Sequence, residues 1–301
     1  MAGGTLYLVA TPIGNLGDVT FRAIEVLRAV PLIAAEDTRV TRRLLTRYEI
    51  KTRTTSYHAQ SAPGRTAALL THLRGGADLA LVTDAGTPAV SDPGMELAAA
   101  WAAEGGRVEA IPGASAVLVA VATSGIAGPR WAFEGFLPRS GRDRRDRLAR
   151  LAADERGAVI FEAPGRLGAT LRDLVAACGP ERPGAICREL TKLHEQVVRG
   201  TLSDLAGAVA EGSVPARGEA VIVVGWSQSV APARGAAAGG GTCGAGHPWD
   251  EASAVAEVEA LVAGGMGRSE AARHVAAATG IPRRRLYLPP DLTPARDASE
   301  G

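Results

Sequence analysis

The stretch LVTDAGTPAVSDPG, Leu81–Gly94, decides how this chain is read. A short apolar run enters it, and two glycines, two prolines and two aspartates follow directly. Ligands in open α/β sheets bind just outside the carboxyl ends of strands, so a polar Gly/Pro loop at such an end is a site candidate. Outward from it, further short runs rich in Val, Ile and Leu are bounded by Gly, Pro or charge. They are Thr5–Ala10, Leu32–Ala35, Leu79–Thr83, Val108–Ile111, Trp131–Phe136, Ala158–Glu162, Ala185–Leu190 and Glu219–Gly225. Helical patterns fill many of the gaps. Asp18 is placed to cap a helix running to about Arg28, and Asp92-Pro93 to open another through Met95, Leu97 and Trp101. Thr201-Leu-Ser-Asp204 reads as a capping box with Asp in the place of Glu. The alternation predicts α/β layers with a largely parallel sheet.

Two more loops follow strands. Ala10-Thr-Pro-Ile-Gly-Asn-Leu-Gly-Asp18 has neither GxGxxG nor the Lys-Ser/Thr of a P-loop. Asp18 sets a negative charge where a phosphate needs donors, so the loop suits a neutral or cationic ligand, or is simply a tight turn with a capping Asp. Ile111-Pro-Gly-Ala-Ser-Ala116 opens a helix after the next strand. Three such loops at strand ends point to one shared crevice.

With 301 residues, two domains are expected. The composition, 46% hydrophobic and 22% charged, is that of a globular chain and excludes long disorder or a fibrous repeat over most of its length. No run approaches a membrane span, and no basic leader precedes the first apolar run, so a cytoplasmic, membrane-free protein is expected. Cys178, Cys187 and Cys243 show no ligand spacing, which predicts free thiols and no metal site. The breaker cluster Thr123–Pro129 divides the α/β part near residue 126. The Ala/Gly-rich run 230–247 reads as a flexible linker. The expected parts are therefore 1–126, 127–229, the linker 230–247, and a small helical extension over 248–301, in which Ser269 is placed to cap a helix.

The strings LYLVATPIGNLGDVTFRAIEVL, AAEDTRVTRRLL, LVTDAGTPAVSDPG, IPGASAVLVA, FEGFLPR, FEAPGRL, CRELTKLHEQVVRGTL and GEAVIVV occur in this order. Together they resemble the small-subunit ribosomal RNA cytidine 2′-O-methyltransferases, a branch of the tetrapyrrole methylase superfamily. The likeness covers nearly all of residues 4–226, and GMGRSEAARHVAAATGIPRRRLY resembles that family's terminal extension. It implies two α/β domains with S-adenosylmethionine in the cleft between them, a homodimer, and 16S ribosomal RNA or the small subunit as substrate, methylated at cytidine 1402. By motif, Pro12 and Gly14 would shape one wall of the cleft. Asp84, Ala85, Gly86, Thr87 and Pro88 would face the methionine part, joined by Ser115 and Ala116. Phe161, Glu162, Glu219 and Ala220 would flank the adenosine.

The implied reaction moves a methyl to a ribose hydroxyl, whose proton needs an acceptor. Glu36 and Asp37 of AAEDTR, and Asp18, are the candidates ahead of His58, His194 and Glu195; for the first two, a helix cap or an ion pair with Arg39 is the plain alternative. RNA demands clustered positive charge. The net charge of +1 hides three clusters. Arg39, Arg43, Arg47 and Lys51 recur every four residues, a ridge on a continuous helix, with Arg42 beside them. Arg139 and Arg142 begin a second cluster that runs through Arg144, Arg145 and Arg147 to Arg150, and Arg283–Arg285 form the third. Lys192 is placed either to orient substrate or to pair with Glu189 or Glu195. Of 33 basic residues only Lys51 and Lys192 are lysines, so an arginine by itself signifies little. The rival readings are a methyltransferase acting on a tetrapyrrole and a non-catalytic RNA-binding assembly factor. Hydrolysis lacks a nucleophile–His or metal-ligand pattern.

Overall fold

LALV at Leu79–Val82 and AVIVV at Ala220–Val224 are buried at every residue, and each is the middle strand of a five-stranded sheet. A strand covered on both faces has no polar side to alternate with, which explains these unbroken apolar runs. The computed structural model describes residues 3–58, 63–227, 251–279 and 281–286.

The first sheet is built from β1 (Thr5–Val9), α1 (Phe21–Ala29), β2 (Leu32–Ala35), α2 (Thr38–Arg47), β3 (Thr54–Ser56), α3 (Pro63–Arg74), β4 (Leu79–Val82), α4 (Met95–Ala103) and β5 (Arg107–Ile111). A helix lies in every connection, so all the pairs are parallel, in the order β3-β2-β4-β1-β5. Next come α5 (Ala116–Ser124), β6 (Trp131–Phe136), α6 (Gly141–Ala153), β7 (Gly157–Glu162), α7 (Leu167–Cys178), β8 (Pro183–Arg188), β9 (Gln196–Thr201), α8 (Leu202–Ala210) and β10 (Ala220–Val224). The second sheet has the order β6-β7-β10-β8-β9.

The expectation of a largely parallel sheet holds for the first sheet and fails for the second. Only β6 and β7 pair in parallel; β7–β10, β10–β8 and β8–β9 are antiparallel. The reason is visible in β8–β9, where the connection from Glu189 to Glu195 contains no helix and the chain turns straight back. The fold remains α/β, with helices packed on both sheets.

Several local expectations move by a residue or two. Asp18 ends a one-turn helix, Leu16–Asp18, and Thr20 is the cap of α1, its hydroxyl accepting from the Ala23 N–H. Asp92-Pro93 precedes α4 without capping it. The cap position belongs to Gly94, at φ +129°. Ser269 is the second residue of its helix and not the cap. The Thr201–Asp204 capping box is present with both of its hydrogen bonds.

Helix α5 leaves the first sheet and packs on β7, β8, β9 and β10 of the second. Its Val117 and Ala120 join Ile13, Val159, Ala185, Cys187, Val221 and Val223 in an apolar cluster that ties the two halves together. The described residues fall into two compact units, divided between Pro232 and Ala233. The second unit contains α9 (Glu251–Ala263), α10 (Arg268–Thr279) and α11 (Arg283–Leu286), closed over Ala254, Val258, Ala272 and Val275. The linker expected at 230–247 lies outside the described residues, as does Cys243.

Gly94 combines its left-handed backbone with close contact, since a Cβ there would lie 2.5 Å from Leu81 Cδ2. Gly94→Ala should therefore lose about 1–3 kcal/mol of stability in urea unfolding through backbone strain and overpacking. An unchanged midpoint would show that the loop after β4 can shift freely.

Candidate active site

Because β1 and β4 lie side by side and run the same way, the loops that follow them emerge together. Thr11 and Gly86 exchange backbone hydrogen bonds of 2.8 and 3.1 Å, and the Thr11 hydroxyl donates to the Thr83 carbonyl at 3.0 Å. Gly86 (φ +80°), Ala89 (+68°) and Ser91 (+63°) are all left-handed. Two of these are not glycine, so the surrounding loop holds them in a costly conformation. The loop after β5 arrives beside them, with Ser115 capping α5. The opposite wall comes from the second sheet. Antiparallel pairing sets Ala220, at the start of β10, against Glu162, at the end of β7.

These walls enclose a cavity of about 390 Å³, within the range of small-molecule sites. Of the residues expected there, Ala85, Gly86, Thr87, Ser115 and Ala116 line one side, and Phe161, Glu162, Glu219 and Ala220 the other. Pro12, Gly14, Asp84 and Pro88 stand outside the lining, although Ile13 between the first two is part of it. Phe136 reaches the rim half-exposed, and Phe161 meets both Phe133 and Phe136 edge to face, with centroids 4.9 and 5.6 Å apart. Glu162 is buried with both oxygens engaged, by the Ala163 N–H, the Thr170 hydroxyl and the Arg166 guanidinium.

A chain of acids backs the cavity. The Glu36 carboxylate accepts from the Asp84 N–H at 3.2 Å, and the Asp84 carboxylate accepts from the Asp37 N–H at 3.0 Å. Burial pushes Glu36 and Asp84 above the usual carboxylate range. Asp92, which lines the cavity, rises to about 6 through burial first and then the nearby charges of Glu36 and Asp84, against the Thr83 hydroxyl. Asp37 goes the other way, to about 2, because Arg39 pairs with it. It also caps α2, accepting from the Arg39 N–H. Asp18 is exposed and outside the lining.

The family described as tetrapyrrole (corrin/porphyrin) methylases matches residues 5–206. Over 284 residues the chain is 45% identical to the ribosomal RNA small subunit methyltransferase I of Synechocystis, covering 94% of this chain and 96% of that protein. Over 290 residues it is 41% identical to the Mycobacterium tuberculosis protein of the same name, covering 95% and 94%. The chain belongs to the tetrapyrrole methylase family. Solved structures agree on the fold. A cobalt precorrin-4 methyltransferase superposes with a TM-score of 0.58 at 20% identity, covering 74% of this chain and 95% of its own. A uroporphyrin-III C-methyltransferase from Thermus thermophilus, complexed with S-adenyl homocysteine, gives 0.53 at 22%, covering 74% and 97%.

In this member of the family the basic surface is smaller than the sequence suggests. Arg39, Arg42, Arg43 and Arg47 are exposed on α2, but Arg39 is engaged by Asp37. The helix stops at Arg47, and Glu49 turns left-handed (φ +55°), so Lys51 does not continue the ridge. Arg139 and Arg142 are exposed, the latter paired with Asp146, whereas Arg144 is buried and bonded to Asp173, Thr170 and the Pro138 carbonyl. Arg283–Arg285 belong to the other unit. Lys192 is paired with Glu189, one of its expected partners, and with Glu219, not Glu195. The sequence reading missed Ile13, Ser91, Asp92, Phe136 and Leu190 as lining residues. Asp92 belongs to the loop Leu81–Gly94 that the sequence marks as a site candidate, although its individual assignment there is a helix cap.

The raised Asp92 has a stability signature. Its folded value lies above the unfolded one, so its contribution is present below the ordinary aspartate range and is lost as pH rises through about 6. Asp92→Asn should raise the Tm at pH 7.5, and the gain should vanish by about pH 4. Equal melting shifts at both pH values would contradict the buried charge.

Proposed function

We propose that this chain transfers a methyl group from S-adenosylmethionine to the 2′-hydroxyl of a cytidine in 16S ribosomal RNA, cytidine 1402 by family likeness. The observation that carries this reading is the 45% identity to a ribosomal RNA small subunit methyltransferase I along 94% of the chain. The likeness to tetrapyrrole enzymes is at 20–22% identity and speaks for the fold alone.

The cavity suits the cofactor. Ala85, Gly86, Ala116 and Ala220 allow close backbone approach, and Glu219 offers negative charge to a ligand bearing an ammonium and a sulfonium. When bound, S-adenosylmethionine supplies an already activated methyl, which leaves the protein to position the hydroxyl and accept its proton. Asp92 is the acid best placed for that proton. It faces the cavity, its carboxylate is half-buried, and Glu36 and Asp84 raise its basicity. Glu36 stands behind it as a supporting acid. Asp37 is too acidic for the role at about 2 and serves α2 and Arg39. RNA is met by α2, which starts at the Asp37 turn bonded to Asp84, so Arg42, Arg43 and Arg47 extend from the rim of the site. The protein acts in the cytoplasm as a homodimer. Phe21, Met95 and Leu118 are among the large apolar side chains left exposed on the single chain. Among the described residues no helix is long and apolar enough to cross a membrane.

Mass spectrometry of 16S RNA from a deletion strain, with and without complementation, tests the activity; an unchanged ribose methylation pattern would refute it. Asp92→Asn should lose methyl transfer by about 10²-fold or more while keeping its affinity for S-adenosylhomocysteine. The wild-type rate should climb with pH through about 6 and then level off, because the base must be deprotonated. A pH-independent rate would exclude Asp92. Arg43→Glu with Arg47→Glu should weaken RNA binding and lower the salt slope by about 2, with no change in cofactor affinity. An unchanged slope would move the RNA surface elsewhere.

A further inference from the structure

Lys192 stands in a chain that uses arginine almost everywhere a positive charge occurs. Its ammonium lies 2.9 Å from Glu189 Oε1 and 3.1 Å from Glu219 Oε2. Glu189 is itself tied to the start of β10. Its Oε1 accepts from the Glu219 N–H at 2.8 Å, and its own N–H donates to the Glu219 carbonyl at 3.0 Å. The side chain of Lys192 reaches the other half of the molecule as well. A Cβ on Gly14 would fall 2.4 Å from Lys192 Cγ and 3.1 Å from the Leu190 carbonyl, so the loop after β1 lies flat against the β8–β9 connection. Gly218 is fitted equally closely, because its Cβ would lie 2.6 Å from the Glu189 carboxyl carbon. The connection itself holds two non-glycine residues left-handed, Glu189 (φ +48°) and Thr191 (φ +66°). Such conformations persist only where neighbouring contacts over-determine them.

Several residues of this knot adjoin or belong to the cavity wall. Ile13 precedes Gly14, and Ile13, Leu190 and Glu219 all line the cavity. We propose that Lys192 is a positioning residue of the cofactor cleft: by bridging Glu189 and Glu219 while lying on Gly14, it fixes the spacing between the two walls. This rests on reading the cavity as the S-adenosylmethionine site. It also removes Lys192 from the RNA surface. Burial opposes the ammonium charge, but Glu189 and Glu219 outweigh it and raise its pKa. Both carboxylates already engage its ammonium, which leaves it poorly placed to meet a phosphate.

Lys192→Met keeps the length of the stem and removes the charge. It should weaken S-adenosylhomocysteine binding in calorimetry by roughly tenfold, the loss expected of a charge-assisted hydrogen bond. KM for the cofactor should rise, with KM for RNA and the RNA salt slope unchanged. In a Glu219→Gln background the same substitution should add less than about twofold, since the two act through one bridge. Hydrogen exchange of the Ile13–Gly17 amides, followed without ligand, should quicken in Lys192→Met and in Gly14→Ala. Lost RNA affinity with intact cofactor binding, fully additive effects with Glu219→Gln, or unchanged exchange at Ile13–Gly17 would each overturn the proposal. If the wild-type chain binds no S-adenosylhomocysteine, the reading of the cavity fails, and the exchange experiment still decides whether the clasp exists.

Discussion

Two backbone hydrogen bonds between Thr11 and Gly86 hold the site together. They exist because the first sheet places β1 beside β4, so that two strands far apart in sequence end at the same point. The bridge stops either loop from continuing as an ordinary strand-to-helix turn. Thr11 spends its hydroxyl on the Thr83 carbonyl, Gly86 takes a left-handed conformation, and the chain through Ala89 and Ser91 is forced into the same region. The cost of that strained backbone is met by the packing below it, where Leu81 presses on Gly94. The outcome is a rigid loop that turns small residues and one carboxylate, that of Asp92, toward the cavity.

The second sheet contributes through its antiparallel order. In an all-parallel arrangement the start of β10 would lie at the far end from the end of β7. Reversal brings Ala220 opposite Glu162 and lets both strand ends face the first sheet's loops. The same reversal produces the direct β8–β9 connection, and with it the strained turn that carries Lys192. Topology and site therefore have one origin. Helix α5 completes the arrangement by starting in the loop after β5 and burying Val117 and Ala120 against the second sheet.

What could be read from the sequence follows apolar composition. The strands LIAA at Leu32–Ala35 and WAFEGF at Trp131–Phe136 carry their bounds in their composition. The strands missed were β3, TTS, and β9, QVVRGT, which share the half-buried edge position of β6 but lack its apolar majority. The loop residues of the cavity were legible as a group, because Gly, Pro and Asp after a buried strand have few other uses. Their individual roles were not. The ion pair and cap named as the plain alternative for Asp37 are what the structure shows, whereas pairing Glu162 with Thr170 and Arg166 requires knowing which way the carboxylate turns. The cap of α4 falls two residues later than the sequence suggests, at Gly94, which leaves Asp92 to line the cavity.

The arginine excess gains a different meaning in the structure. Several arginines serve carbonyl groups that strands and helices leave open. Arg182 is buried and donates to the Gly225, Asp154 and Arg156 carbonyls, and Arg199 donates to Ser124 and Thr123 at the end of α5. Arg144 of α6 donates to the Pro138 carbonyl and to the Thr170 and Asp173 side chains of α7. A planar fork of five donors suits this work better than a point charge. Such arginines contribute nothing to a phosphate surface, however many appear in the sequence. The cations on α2 differ because that helix buries Thr41, Leu44 and Leu45 on one face and turns Arg42, Arg43 and Arg47 to the solvent. Where an arginine sits on its helix, and not how many arginines there are, therefore determines which of them can meet RNA.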